Sequence, residues 1–106
     1  MATDDRGGAG QVGVDRLIHE PARLAIMTNL FVVESANATY LLQQTGLTWG
    51  NLGSHLVKLE AAGYLSTDKS FRGKQPQTTI ALTPVGRAAL LVYRRQLFAA
   101  LDPISE

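Results

Sequence analysis

Two short helical segments, separated by only three residues, place the strongest limit on how this chain can fold. Residues 39–45 (TYLLQQT) form the first segment, which Gly46 ends because glycine adopts the left-handed backbone after a helix at little cost. Thr48 suits the N-cap of the second helix, residues 49–62, and Gly63 ends that helix in the same manner. Two helices joined by such a turn form a helix-turn-helix unit, around which the remaining segments must pack.

The chain before this unit has helical character. Residues 15–19 predict a short helical stretch, and Pro21 then fits the first turn of a second helix, where no amide donor is needed. Over residues 22–33 two apolar stripes run at helical spacing. A helix that is apolar on more than one face is buried either completely or partly against a partner. Residues 34–38 are small and polar and predict a connection.

The chain after the helix-turn-helix changes to strand-like spacing. Residues 64–69 and 77–82 are of strand length, and residues 70–76 (SFRGKQP) between them predict a loop of turn formers and cations. Thr83 and Pro84 then cap and begin a last helix. The sequence therefore predicts an α+β fold that is mainly helical: a winged helix-turn-helix with a β-hairpin wing and a C-terminal helix.

Length and composition fit one small globular domain. The chain has 106 residues, of which 45% are apolar and 18% charged, enough for one modest core. We expect a flexible, glycine-rich tail over residues 1–13, the folded domain over 14–102 and a short tail over 103–106. The absence of cysteine excludes disulfides and thiolate metal sites. Because no apolar run is long enough to span a membrane, we expect a cytoplasmic protein without a membrane partner.

The helix over residues 49–62 has two contrasting faces. At about 100° per residue, Leu52, Leu56 and Leu59 fall in one narrow sector and must face the core. The opposite side carries small and hydrogen-bonding residues near the helix start and a cation further on, an arrangement that suits entry into the major groove of DNA. The residues that we predict to contact DNA from this element are Thr48, Trp49, Gly50, Asn51, Gly53, Ser54 and Lys58.

A polar outer face is also typical of a helix that only faces solvent. Two glycines in the interior of this helix indicate instead that another molecule or element lies against it. Each glycine costs on the order of 1 kcal/mol relative to alanine in a helix. Gly50 and Gly53 therefore indicate that something close by needs the space, either DNA or another helix. The glycines alone do not decide between the two.

The predicted hairpin loop supplies a second, independent indication. Arg72 and Lys74 flank Gly73 at its tip, where they can reach a minor groove or the neighbouring phosphates. Over residues 48–76 four basic residues stand against two acidic ones, and the resulting charge of +2 exceeds the +1 of the whole chain. The predicted function is sequence-specific binding of double-stranded DNA by a transcriptional regulator. A winged helix used only for protein–protein contact is the alternative, because function resides in sites and not in folds.

Two apolar surfaces predict a homodimer. The two-faced helix over residues 22–33 and the apolar stripe of the last helix exceed what so small a domain can bury. The residues predicted to form the interface are Leu24, Met27, Phe31, Leu90, Tyr93, Leu97 and Leu101. Such a dimer would bind a pseudo-palindromic site with half-sites about one helical turn of DNA apart.

Neither catalysis nor a metal or cofactor is predicted. His19 and His55 are the only histidines, too few for a transition-metal site in a chain without cysteine. Ser54 and His55 are neighbours that cannot face each other on a helix, so no nucleophile–base pair is evident. His55 lies at the margin of the core-facing sector, which favours a structural role over contact with DNA.

Two motifs stand in residues 47–90. The first, GNL-x-x-HL-x-KLE-x-x-GY, is formed by Gly50, Asn51, Leu52, His55, Leu56, Lys58, Leu59, Glu60, Gly63 and Tyr64. The second, LT-x-x-GR-x-AL, is formed by Leu82, Thr83, Gly86, Arg87, Ala89 and Leu90. Both resemble the small single-domain branch of winged-helix regulators in the MarR/ArsR superfamily. The segment DRLIHEPARLAIM looks like the family's first helices, so the resemblance covers roughly residues 14–100.

The resemblance implies a protein that dimerises through its terminal helices and places two recognition helices in successive major grooves. It also implies a small-molecule effector in some members, although no residue here identifies one. Gly53 replaces the family's usual serine or threonine, and Ser54 stands where many relatives have arginine or threonine, so base contacts from this helix are reduced. Trp49 is unusual at the helix start. It either packs on the sugar–phosphate surface of DNA or, as we favour, makes a partly buried apolar contact.

Overall fold

The chain folds into four helices and a three-stranded antiparallel sheet. The computed structural model describes residues 13–105, so the tail predicted over residues 1–13 lies outside the described residues except for Gly13, as does Glu106. In chain order the elements are α1 (Pro21–Val33), β1 (Ser35–Asn37), α2 (Ala38–Thr45), α3 (Trp49–Ala61), β2 (Leu65–Arg72), β3 (Gln75–Leu82) and α4 (Pro84–Leu101). This architecture confirms the predicted winged helix-turn-helix. Within residues 13–105, no helix has the length and apolar character needed to cross a membrane.

Capping side chains set where the helices begin, as the sequence predicts. The hydroxyl oxygen of Thr48 accepts a hydrogen bond of 3.2 Å from the amide of Asn51 at the start of α3. Thr83 acts in the same way at α4, where it accepts a hydrogen bond of 2.9 Å from the amide of Gly86. Gly46 follows α2 with a φ of 71°, the left-handed conformation expected of it. Gly46 and Thr48 together fix the short turn between the two helices of the helix-turn-helix.

The N-terminal half differs from the prediction in two places. β1 lies in the expected connection over residues 34–38 and pairs with residues 79–81 of β3, which gives the sheet order β1-β3-β2. The helical stretch predicted over residues 15–19 is wrong, because the segment forms a single turn closed by a 2.9 Å hydrogen bond from the His19 amide to the Asp15 carbonyl. α1 begins at Pro21 directly after this turn, with Glu20 as its N-cap.

The wing is longer and tighter than predicted. β2 and β3 stay paired as far as Arg72 and Gln75, which leaves only Gly73 and Lys74 as the turn. The loop predicted over residues 70–76 is therefore wrong: its polar side chains do not prevent the backbones from pairing. Gly73 has a φ of 65°, the positive value required at the first central position of a type II′ hairpin turn.

One hydrophobic core joins all four helices to the sheet. Leu52 and Leu59 of α3 are buried in it and Leu56 packs against it, as predicted for the inward face of this helix. The side of α3 that lies opposite these leucines is thereby turned outward. The buried members of the core are Val14, Ile18, Ile26, Met27, Leu30, Leu41, Leu52, Leu59, Leu65, Ile80, Leu82, Leu90 and Tyr93.

Candidate DNA-binding surface

The outer face of α3 is open to solvent along its length. Gly50, Ser54 and Lys58 are exposed, as is Asn51 at the edge of the face. Apart from its chain neighbours and the backbone of α3 itself, a methyl group added at Gly50 or at Gly53 would meet no atom of the described residues within 4 Å. No neighbouring helix in the described part of the subunit therefore explains these two glycines. The space beside them is available to a molecule outside the subunit.

Trp49 is the first residue of α3 and is 63% exposed. The partly buried contact that the sequence favours for it is therefore wrong, because most of the indole is open to solvent. Trp49 instead lines one wall of a cleft, and Arg72 of the wing lines another. The first helical residue of α3 and the wing thus share a single concave surface.

The wing places its two cations at its exposed tip. Arg72 ends β2 and Lys74 is the second residue of the turn, and every residue from Ser70 to Pro76 is exposed. The hairpin extends beyond the end of β1, which pairs with β3 no further than Thr79. The tip is therefore a two-stranded ribbon that projects beside α3.

Several residues of this surface are not among those that the sequence predicts. Val57 is 67% exposed on the outer face of α3, and the helical spacing that applies to Gly50 and Ser54 would have placed it there. Asn37 and Thr39 line the cleft between Trp49 and the wing. Their position depends on how α2 meets the sheet, so no local signal in the sequence indicates it.

His55 has the structural role that the sequence favours. The ring is half-buried, and its Nδ1 lies 3.2 Å from Nη1 of Arg23 in α1. The Nε of the same arginine donates a hydrogen bond of 2.6 Å to the carbonyl of Leu17. His55 therefore helps to fix α3 against α1 and the segment before it.

The residues predicted for a dimer interface separate into two groups. Met27 is fully buried within the subunit. Leu90 and Tyr93 belong to the same core and reach the floor of a surface groove only with a small part of their area, so these three side chains serve mainly the subunit's own interior. The reason is that the members of one apolar stripe are not buried to the same depth: Met27 and Tyr93 point into the core, whereas Leu24 and Leu97 lie nearer its edge. The Tyr93 hydroxyl also lies 2.8 Å from Nδ1 of His19, a contact inside the subunit.

The other interface residues lie at the surface, beside or within a groove between α1 and α4. Leu24, Phe31 and Leu97 are half-buried in its walls, and Leu101 is exposed near the end of α4. Further exposed apolar side chains, which the sequence pattern does not single out, complete the groove: Val32, Leu91 and Phe98. Guanidinium groups cover two of its aromatic rings, Arg87 over Phe31 at 4.4 Å and Arg94 over Phe98 at 4.6 Å.

These features define a winged helix-turn-helix protein. They are a short helix, a capped second helix with an open outer face, and a cationic hairpin beside it. The chain belongs to the winged helix DNA-binding domain family, whose model matches residues 22–101. An uncharacterised protein of Methanocaldococcus jannaschii is 35% identical over 78 residues, which represent 74% of this chain and 85% of that relative.

Solved structures share the fold. A transcriptional regulator homologue protein from Pyrococcus horikoshii OT3 has a TM-score of 0.78 at 30% identity, over 83% of this chain and 87% of that one. The PcaV transcriptional regulator from Streptomyces coelicolor has a TM-score of 0.66 at 18% identity, over 87% of this chain and 69% of that one. The resemblance to winged-helix regulators is confirmed. The family and the likeness to the Pyrococcus horikoshii protein support a DNA-binding regulator and do not favour the alternative of a protein–protein module.

Proposed function

We propose that this regulator binds double-stranded DNA sequence-specifically as a cytoplasmic homodimer, without catalysing a reaction. In each subunit α3 enters a major groove, and the wing lies on the adjacent minor groove or backbone. The observation that carries the proposal is the open outer face of α3, where a methyl group added at either glycine would meet no described atom within 4 Å outside its chain neighbours and the backbone of α3. A groove of DNA can receive a helix only when the rest of the subunit leaves that helix face uncovered.

The outer face of α3 has the residue types that such an entry needs. Gly50 and Gly53 let the backbone approach the bases closely. Asn51 can form a paired hydrogen bond with an adenine edge, and Val57 can contact the methyl group of thymine. Lys58, further along the helix, suits a phosphate of the backbone. We therefore expect modest base readout, concentrated in the first half of the helix.

The wing tip and the start of α3 lie close enough together to contact the same DNA strand. Arg72 and Lys74 at the tip can reach phosphates or the narrow groove, where the negative potential is enhanced. In the cleft below them, Trp49 offers an apolar surface for a sugar, and the amide groups at the start of α3 favour a nearby phosphate. Thr48 uses its hydroxyl oxygen for capping, so we assign it the role of orienting the helix.

The apolar groove between α1 and α4 supports the homodimer. Val32, Leu91 and Phe98 are exposed there, and an uncovered apolar surface of this kind is typical of an interface. The interface residues that we propose from the sequence set are Leu24, Phe31, Leu97 and Leu101. A dimer of this kind would present two copies of α3 to half-sites about one helical turn apart. A small-molecule effector stays a prediction of the resemblance.

Selection of bound duplexes from a random pool at about 50 and 200 mM salt tests the proposal. Enrichment of a pseudo-palindrome is the expected result. R72A/K74A should weaken binding to the enriched duplex and lower the slope of log affinity against log salt by about 0.9 for each phosphate that the wing no longer neutralises. R16A/R95A removes the same charge from exposed positions at the N-terminal segment and α4, so it is the matched control and should leave the slope unchanged.

Two outcomes would contradict the proposal. Recovery of no sequence preference at either salt concentration would exclude sequence-specific binding. An equal decrease of affinity and slope in R72A/K74A and R16A/R95A would show that only overall charge matters, and the wing would then have no role of its own.

A further inference from the structure

Phe71 is the largest unexplained apolar side chain on the wing. It is 75% exposed and lies one residue before Arg72, at the projecting end of the hairpin. Among the residues that the structure describes, it belongs neither to the buried core nor to the apolar side chains packed against it. Its position is therefore not accounted for by the stability of the subunit.

The backbone holds Phe71 directly opposite Pro76. In a hairpin with a two-residue turn, the pair that closes the turn, here Arg72 with Gln75, exchanges the ladder hydrogen bonds. The next pair, Phe71 with Pro76, is then a non-hydrogen-bonded pair, whose side chains lie closer together. The two residues form an apolar pair on one face of the ribbon.

Pro76 costs the hairpin no hydrogen bond. At a non-hydrogen-bonded position the amide points away from the partner strand, and on the other side of β3 the strand β1 reaches only as far as Thr79. The missing amide donor of Pro76 therefore faces no strand, and its ring stiffens the ribbon beside Phe71. A stiff ribbon loses little conformational entropy when its tip is held by a partner.

The charge around this apolar pair is positive. Lys69 shares its face of the ribbon, because side chains two residues apart in a strand point the same way. Arg72 and Lys74 adjoin it at the tip. Asp68, the only acidic residue of the hairpin sequence, projects from the opposite face. An exposed aromatic ring among cations suits a polyanion with an apolar interior, such as a duplex with its stacked bases.

We propose that Phe71, backed by Pro76, is an apolar wedge that enters the minor groove and partly unstacks one base step, so that the bound duplex is bent. The proposal rests on the DNA binding argued above and adds a second determinant of sequence preference to α3. Apolar wedges flanked by cations kink duplexes in this way. Pyrimidine–purine steps unstack most easily, so the wing selects sites with such a step beneath its tip.

A bending measurement on the enriched duplex tests the wedge. A duplex of about 30 base pairs with dyes at its two ends reports the bend by energy transfer, and 2-aminopurine at the step beneath the wing reports unstacking. The wild-type protein should bend the duplex by about 20–90° and raise the 2-aminopurine fluorescence. F71A should at least halve the bend and weaken binding by roughly tenfold, whereas F71W should retain both properties.

The salt dependence separates this role from that of the cations. F71A removes no charge, so its slope of log affinity against log salt should match that of the wild type, unlike the slope of R72A/K74A. V85A truncates another exposed apolar side chain, at the start of α4, and should leave bend and affinity unchanged.

The outcomes distinguish the two proposals. If the wild-type protein binds no duplex, DNA binding itself fails. If it binds and R72A/K74A weakens binding while F71A bends and binds like the wild type, the wedge alone is overturned.

Discussion

A methyl group added to Gly86 would lie 2.1 Å from the carbonyl oxygen of Tyr64. The start of α4 thus rests directly on the backbone that links α3 to the wing. Two hydrogen bonds from Thr83 hold the same arrangement, one from its amide to the Tyr64 carbonyl at 3.0 Å and one from its hydroxyl to the Gly63 carbonyl at 2.5 Å. The glycine in the LT-x-x-GR-x-AL motif therefore has a physical reason: α4 can dock here only without a side chain.

G86A should destabilise the protein. Alanine is normally favoured over glycine in a helix, but here its methyl group meets a backbone carbonyl that cannot move without displacing the wing. We expect the free energy of unfolding, measured by urea denaturation, to fall by about 1–3 kcal/mol. Ala88 is exposed on the same helix, so A88G is the matched control, with a decrease of only about 1 kcal/mol from helix propensity. A G86A protein as stable as the wild type would contradict the close approach.

Substitution of the α3 glycines should have the opposite effect on stability. Gly50 and Gly53 have open space beside them, so each alanine in G50A/G53A should raise the free energy of unfolding by about 0.5–1 kcal/mol. The added methyl groups should nevertheless hold the helix away from the bases and weaken DNA binding roughly tenfold, or about 1.4 kcal/mol. Thermal denaturation and a binding titration on the same protein give both values. A gain in stability with unchanged affinity would remove these glycines from the DNA surface.

The parts of the fold that local chemistry determines are predictable from the sequence. Thr48 and Thr83 cap their helices and Gly46 ends α2, because capping depends on a few neighbouring residues. β1 is not predictable in this way. Its three residues carry no alternation, and the strand forms only because β3 lies beside it in the folded chain. The sequence also does not predict that β2 and β3 stay paired to the end of the wing. Residues 70–76 have the composition of a loop, and all but the two residues of the turn form strands only because the two strands lie side by side.

The candidate site likewise has parts that the sequence predicts and parts that only the tertiary structure determines. The outer face of α3 follows from helical periodicity, which correctly turns Leu52 and Leu59 inward. Periodicity cannot say how deeply each member of an apolar stripe is buried, so it assigns Met27 and Tyr93 to an interface although the subunit buries them. The exposure of Trp49 depends on the cleft between the helix start and the wing, which only the tertiary structure defines.

The free energy of unfolding should fall at high pH because the hydroxyl of Tyr64 loses its proton. Burial, and then the hydrogen bond of 2.5 Å that its hydroxyl donates to the Asp15 carboxylate, raise the pKa of Tyr64 to about 12 from its usual value of 10.0. The folded state therefore holds this proton more tightly than the unfolded chain. The resulting stabilisation is complete below pH 10 and disappears as the pH rises through 12.

Urea denaturation between these pH values measures the effect. Y64F lacks the titrating hydroxyl and should be less stable by about 1 kcal/mol at neutral pH but show a shallower decline in alkali. Some decline should remain, because burial also raises the pKa of Tyr93. Parallel curves for Y64F and the wild type would contradict the assignment.

The groove between α1 and α4 should control assembly. L91E and F98E each place a carboxylate on an exposed apolar position, so both variants should fold. Moving a carboxylate from water into an interface costs several kcal/mol even beside a cation such as Arg94, so we expect the dimer dissociation constant to rise on the order of 100-fold. Sedimentation at several concentrations measures it, with V85E as a control on an exposed residue outside the groove. A wild-type protein that sediments as a monomer throughout would exclude the homodimer.

The most direct test of the account asks whether DNA covers the outer face of α3. The chain contains no cysteine, so S54C introduces a single reactive thiol at the middle of this face, and A88C introduces one on the exposed side of α4. The rate of thiol alkylation is measured with and without a saturating amount of the enriched duplex. The account predicts that DNA slows the reaction of S54C by at least about tenfold and leaves A88C unchanged, since a helix seated in a groove is shielded from solvent. Alkylation of S54C at the same rate in the bound complex would contradict it.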